Sequence, residues 1–180
     1  MSKWSRLWRT SKYITAKRKN FEIVDNYLAN PPKCILDIGC GFAYESQMFQ
    51  EKYACDVYLL EGERNNNRRE IKYGNVDDFK FYSYLYDLKS HWDSQGISYN
   101  FLDANNPVVK HNVIFDVVYS FLSCGYHYPA HTYKNLIVNH TDNNSKIIMD
   151  IRNSNKQDIE IIDIIVKEAK SQKAVIKFID

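Results

Sequence analysis

Apolar residues in this chain fall in short blocks whose spacing alternates between two kinds. Residues 34–38, 56–60, 97–102, 115–121, 146–151 and 174–179 are short apolar runs, some bounded by glycine, proline or asparagine, and they read as six strands. Between them lie stretches with helical spacing at 44–53, 79–92, 129–139 and 158–170. In the last of these Ile161, Ile162, Ile165 and Ala169 line one side. Upstream, Trp4, Leu7 and Trp8 mark a first short helix. Phe21, Val24 and Leu28 mark a second over 20–29, stopped by Pro31-Pro32. Gly96, Ala104-Asn105-Asn106-Pro107 and Asn143-Asn144 punctuate the pattern as turns. Strands and helices therefore alternate, which predicts an α/β fold: a doubly wound, mainly parallel sheet with helices on both faces.

The chain of 180 residues suits one domain, 1–180, with 1–30 as a basic helical arm. Its net charge of +2 excludes a polycation, so any contact with a polyanion has to be local. Such a patch exists in the arm, where Lys3, Arg6, Arg9, Lys12, Lys17, Arg18 and Lys19 precede any acid. The arm reads first as a lid packed through Trp4 and Trp8, and secondly as a phosphate, nucleic-acid or membrane-surface contact. Arg64, Arg68 and Arg69 form a smaller cluster that reads as solvated surface. Cys34, Cys40, Cys55 and Cys124 form no C-x-x-C pair and have no histidine at zinc spacing. The reading is reduced buried thiols and no metal. No apolar run approaches the roughly 20 residues of a membrane span, and no signal-peptide core opens the chain. The expectation is a cytoplasmic protein.

The chemistry concentrates after the first strand, in Asp37-Ile38-Gly39-Cys40-Gly41-Phe42-Ala43. Glycine lets the main chain turn tightly and approach a ligand, and the next helix starts with unpaired N–H groups. The second strand ends in Glu61, followed by Gly62, where a carboxylate can accept from both ribose hydroxyls of a nucleoside. Tyr44 replaces the last glycine or alanine of the dinucleotide pattern G-x-G-x-x-G/A, which argues against a nicotinamide cofactor.

The turn resembles the first motif of the class I, Rossmann-like S-adenosylmethionine-dependent methyltransferases: an acid, then G-x-G-x-G. Here the acid is Asp37, the glycines are Gly39 and Gly41, and Ala43 stands in place of the last glycine. The resemblance covers about 34–179 and implies S-adenosylmethionine as cofactor and S-adenosylhomocysteine as product. It also implies that Asp37, Gly39, Cys40, Gly41, Glu61, Gly62, Asp103, Ala104, Ser120 and Phe121 surround the cofactor. Glu61 would hold the ribose and Asp103 the adenine amino group. The family's usual sheet has seven strands, the last in an antiparallel hairpin, whereas six are read here. Either the sixth strand lies directly beside the fifth, or a partner subunit covers an open edge as in a homo-oligomer.

Strand four leads into Leu122-Ser123-Cys124-Gly125-Tyr126-His127-Tyr128-Pro129. His127 is the candidate general base for a hydroxyl acceptor, with Ser123, Tyr126 and Tyr128 bounding the acceptor pocket. The alternative is that His127 braces the loop. Pro129 separates His127 from His131 and argues against a two-histidine metal site. The exit lacks the N-P-P-Y and D-P-P-Y tetrapeptides of enzymes that methylate DNA base amino groups. The expected activity is methyl transfer to a small molecule at oxygen. The rivals are an inactive cofactor-binding subunit of a larger assembly, and another use of the same cofactor such as aminopropyl transfer or cofactor breakdown.

Overall fold

A computed structural model describes residues 9–63, 85–126, 129–152, 156–168 and 172–179. The chain begins with α1 (Ser11–Asn26), then β1 (Cys34–Ile38), α2 (Tyr44–Tyr53), β2 (Asp56–Glu61), α3 (Leu85–Gln95), β3 (Asn100–Asp103) and β4 (Val117–Ser120). A 3₁₀ turn (Ala130–Tyr133) leads into α4 (Lys134–Asn139), followed by β5 (Lys146–Arg152), α5 (Lys156–Glu168) and β6 (Gln172–Ile179).

The six strands form one sheet in the order β3-β2-β1-β4-β5-β6, and every pairing is parallel. β6 lies directly against β5, from Lys146 opposite Gln172 to Arg152 opposite Ile179. This settles one of the two alternatives for the sixth strand: no seventh strand stands between them.

Side chains that alternate along the strands feed two cores. Ile35, Leu59 and Tyr119 point to one face and pack with Val24 of α1, Phe49 of α2 and Leu88 and Trp92 of α3. Leu36, Ile38, Leu60 and Val118 point to the other and pack with Leu136 and Ile137 of α4 and Ile162 and Ile165 of α5. Coverage on both faces explains why β1 and β4 are almost wholly apolar and buried. Strand order reverses at β1, between β2 and β4, so the carboxyl ends of these strands flank the crevice where such sheets take ligands.

One boundary differs clearly from the sequence reading. The helix expected over 20–29 is α1, which starts nine residues earlier at Ser11, capped by Thr10, whose hydroxyl accepts the Tyr13 N–H at 3.3 Å. Tyr13, Lys17, Phe21, Val24 and Leu28 recur at helical spacing. The stripe was hidden because its second member is a lysine. Trp4, Leu7 and Trp8 and the Arg64, Arg68 and Arg69 cluster lie outside the described residues. Among the described residues the four cysteines are free, three of them buried, and no helix is long and apolar enough to cross a membrane.

Candidate active site

The glycine turn is built from three left-handed residues: Gly39 at φ 71°, Gly41 at φ 58° and Ala43 at φ 54°. Glycine takes this conformation without steric cost, whereas an alanine pays for its Cβ. The position where the resembling family carries glycine is thus one where this chain holds a strained alanine. Ala43 is also the N-cap of α2 and offers no side-chain cap. The turn is sewn to β2, because the N–H groups of Gly39 and Cys40 both donate to the Leu60 carbonyl, at 2.8 and 3.3 Å.

Glu61 points at the turn. Its Oε2 accepts the Gly41 N–H at 2.8 Å and its Oε1 accepts the Gly62 N–H at 3.0 Å. The side chain is buried, and burial pushes its pKa up to about 7 against the pull of those two N–H groups. Each carboxylate oxygen accepts one main-chain bond and keeps a second lone pair. That leaves capacity for two hydroxyl donors, which fits a ribose.

Asp37 shares the sheet face of Glu61 and Tyr119 but is turned toward α2. Its Oδ2 accepts from Ser46 Oγ at 2.8 Å and from the Tyr119 hydroxyl at 3.2 Å. Burial, and then the neighbouring Glu45 charge, push its pKa up to about 7. Glu45, in the first turn of α2, is 1% exposed. Its Oε1 accepts from Lys17 Nζ at 2.9 Å and from Asn20 Nδ2 at 3.0 Å, both on α1, while its buried Oε2 has no hydrogen-bond partner. The basic arm therefore contributes a largely buried cation to the site, and Lys17 is held firmly protonated by Glu45 despite its desolvation.

The other expected residues divide. Asp103 is exposed and folds back, its Oδ1 accepting the Asn105 N–H at 2.8 Å in an Asx turn. Ala104 is buried, its N–H donating to the Glu61 carbonyl at 3.0 Å. Ser120 braces the exit of β4: its hydroxyl donates to the Ile38 carbonyl at 3.0 Å and accepts the Cys124 N–H at 2.8 Å. Cys40, Phe121 and Ser123 are buried and Tyr126 is half-buried, while His127 and Tyr128 lie outside the described residues. Burial and the Asp37 and Glu61 charges hold the Cys40 thiol firmly protonated.

Several side chains at the site escaped the sequence reading. In the sequence Lys17 reads only as one charge of the basic arm, Tyr119 only as part of the fourth strand, and Glu45 and Ser46 only as part of a helix. Asp150, at the carboxyl end of β5, is 3% exposed. His91 of α3 stacks on Phe42 with centroids 5.5 Å apart and meets the edge of Tyr44, and burial lowers its pKa. Arg9 lies over Phe42 at 5.7 Å. Leu122, next to Ser123, is left-handed at φ 54° and 47% exposed, an apolar side chain held in strain at the exit of β4. A cavity of about 220 Å³ at the amino ends of β1, β4 and β5, beside Pro31, Pro32, Asp116 and Lys146, lies at the opposite end of the strands from this turn.

No protein-family model and no curated protein matches the chain. Solved structures do. A methyltransferase from Pyrococcus furiosus superposes with a TM-score of 0.51 at 14% identity, over 85% of this chain and 70% of that one. The chain has the fold of a Rossmann-like methyltransferase. The PH0226 protein from Pyrococcus horikoshii superposes with a TM-score of 0.53 at 16% identity, over 78% of this chain and 58% of that one. A plantazolicin methyltransferase, crystallised with a monoazolic desmethylPZN analog and S-adenosylhomocysteine, superposes at 0.47 and 18% identity, over 90% of this chain and 59% of that one. The chain thus spans roughly three fifths of the length of two of these three structures.

Proposed function

We propose that this chain binds S-adenosylmethionine at the β1–β2 crevice and transfers its methyl group to a hydroxyl of a small molecule. The observation that carries the reading is Glu61, pinned against the Gly41 N–H with room left on both oxygens, on a methyltransferase fold. Gly39, Cys40 and Gly41 would line the adenosine and methionine ends, Glu61 would accept from the ribose, and Gly62, Asp103 and Ala104 would border the adenine. When bound, the cofactor supplies an activated methyl on a positively charged sulfur. The protein's own share is then orientation of donor and acceptor, plus removal of the acceptor's proton.

Ser123, Tyr126 and Tyr128 are proposed to bound the acceptor, with His127 as the base and Phe121 beside the cofactor. Ser120, bonded to Ile38 and Cys124, shapes the loop that carries them. The α1 helix closes the site through Lys17 and Asn20, which supports the lid reading of the arm over a polyanion contact. The test is incubation of the purified chain with S-adenosylmethionine and panels of hydroxyl, amine and thiol acceptors. Mass spectrometry should find S-adenosylhomocysteine and a product in which a methyl group has replaced the hydrogen of a hydroxyl. A methylated nitrogen would correct the acceptor class.

One observation favours a second reading, a cofactor-binding subunit without transfer activity. Direct pairing of β6 with β5 departs from the seven-stranded sheet of the resembling family. That reading expects cofactor binding with no product from any acceptor, and a complex larger than the monomer in solution. Aminopropyl transfer or cofactor breakdown would show as a different product mass.

A further inference from the structure

Three carboxylates are buried around one bend of the main chain. Asp37 enters the turn, Glu45 leaves it, and Glu61 bonds to its centre, with exposures of 4%, 1% and 6%. Among the described residues, one largely buried ammonium acts on all three. Lys17 pairs with Glu45 at 2.9 Å and exerts its charge on Asp37 and Glu61 as well. Arg9, another cation of the arm, sits over the Phe42 ring. The other titratable groups facing this cluster are Tyr13 of α1, Tyr119 of β4, Cys40 of the turn and His91 of α3, which stacks on Phe42. Burial pushes the first three upward and lowers His91, so all four are neutral near pH 7. The ionised site therefore carries excess negative charge, and Glu45 Oε2 is a buried acceptor facing no donor.

S-adenosylmethionine and S-adenosylhomocysteine share their adenosine, ammonium and carboxylate. They differ in one methyl group and in the positive charge on sulfur. We propose that the buried carboxylates of Asp37, Glu45 and Glu61 make this site prefer the sulfonium cofactor over its uncharged-sulfur product, with Glu45 as a specificity-determining residue. The inference rests on the functional reading above and deepens it. A unit charge about 10 Å away, through an effective dielectric constant of about 20, changes affinity on the order of tenfold. That is enough to expel the product once the methyl group, and with it the charge, has gone. Because burial raises Asp37 and Glu61 to about 7, the excess charge is present at pH 7.5 and fades toward pH 5.5.

The experiment is titration calorimetry of the full chain with each compound at pH 7.5 and pH 5.5. The expected result is binding of S-adenosylmethionine on the order of tenfold tighter at pH 7.5, with the ratio falling toward one at pH 5.5. Glu45→Gln should lower the ratio at pH 7.5 several-fold, mainly through the cation's affinity. Asp37→Asn keeps an oxygen for Ser46 and Tyr119 to donate to and should act in the same direction, so it carries the test if Glu45→Gln does not fold. Equal or tighter binding of S-adenosylhomocysteine at both pH values, or a ratio unmoved by pH and by Asp37→Asn, overturns the inference while leaving the functional reading intact. Binding of neither compound overturns both.

Discussion

Glu61 and Gly41 are joined before any ligand arrives: the carboxylate at the end of β2 accepts the N–H at the middle of the glycine turn, at 2.8 Å. The same side chain thus shapes the turn and presents its remaining lone pairs to the crevice. Glu61→Ala should weaken S-adenosylmethionine binding by roughly 1.5–3 kcal/mol, the scale of a hydrogen bond to a charged group. It should also lower stability, because the N–H groups of Gly41 and Gly62 lose their acceptor. Calorimetry reads the first effect and urea unfolding the second. Unchanged affinity would remove Glu61 from the cofactor site.

Ala43 offers a test of the turn alone. Its φ of 54° costs a residue with a Cβ about 1–2 kcal/mol, while glycine costs about 0.5–1 kcal/mol in extra chain entropy. Strain wins, so Ala43→Gly should stabilise the protein by about 0.5–1 kcal/mol. Gly41→Ala should destabilise it, as the same conformation is then imposed on a second alanine. Equal unfolding midpoints for wild type and Ala43→Gly would show that the turn relaxes without glycine.

The sequence exposed this turn and the acid at the end of β2 because both depend on local identity: glycine where the chain must turn left-handed, and a carboxylate where an apolar strand stops. The strands were legible for the same reason, since β1, β2, β4 and β5 are apolar runs buried on both faces. The charged floor was not legible. Lys17 counted as solvated in a basic arm, and only the tertiary contact of α1 with α2 brings it to Glu45. Asp103 showed the converse, a strand-end acid whose nearest engagement is its own turn at Asn105.

Stability should depend on pH through Asp37 and Glu61. Both are raised to about 7 from ordinary carboxyl values of 3.8 and 4.5. The folded protein then binds protons more tightly than the unfolded chain, so their contribution is present in full below about pH 4 and is lost as pH rises to about 7. Asp25, lowered by its hydrogen bonds to Lys52 and Tyr53, works in the opposite direction at the surface. Urea unfolding of wild type and Asp37→Asn between pH 5 and pH 8 should show a smaller loss with rising pH in the variant. Parallel curves would mean that Asp37 does not titrate in this range.

His127→Ala should lower turnover by about 10²–10⁴-fold if the imidazole takes the acceptor's proton, with cofactor affinity little changed. Single-turnover kinetics beside calorimetry separates the two quantities. Equal loss in both, or in neither, would return His127 to a bracing role in the loop.

Trp92 is fully buried in α3, and its indole N–H donates to the carbonyl of Phe42 at 3.1 Å. The chromophore is thereby wired to the main chain of the glycine turn, and a shift of that turn alters the polarity and hydrogen bonding it senses. With Trp4 and Trp8 replaced by phenylalanine, the emission of this one indole would serve as an intrinsic optical gauge of the turn, reporting ligand arrival without any attached dye.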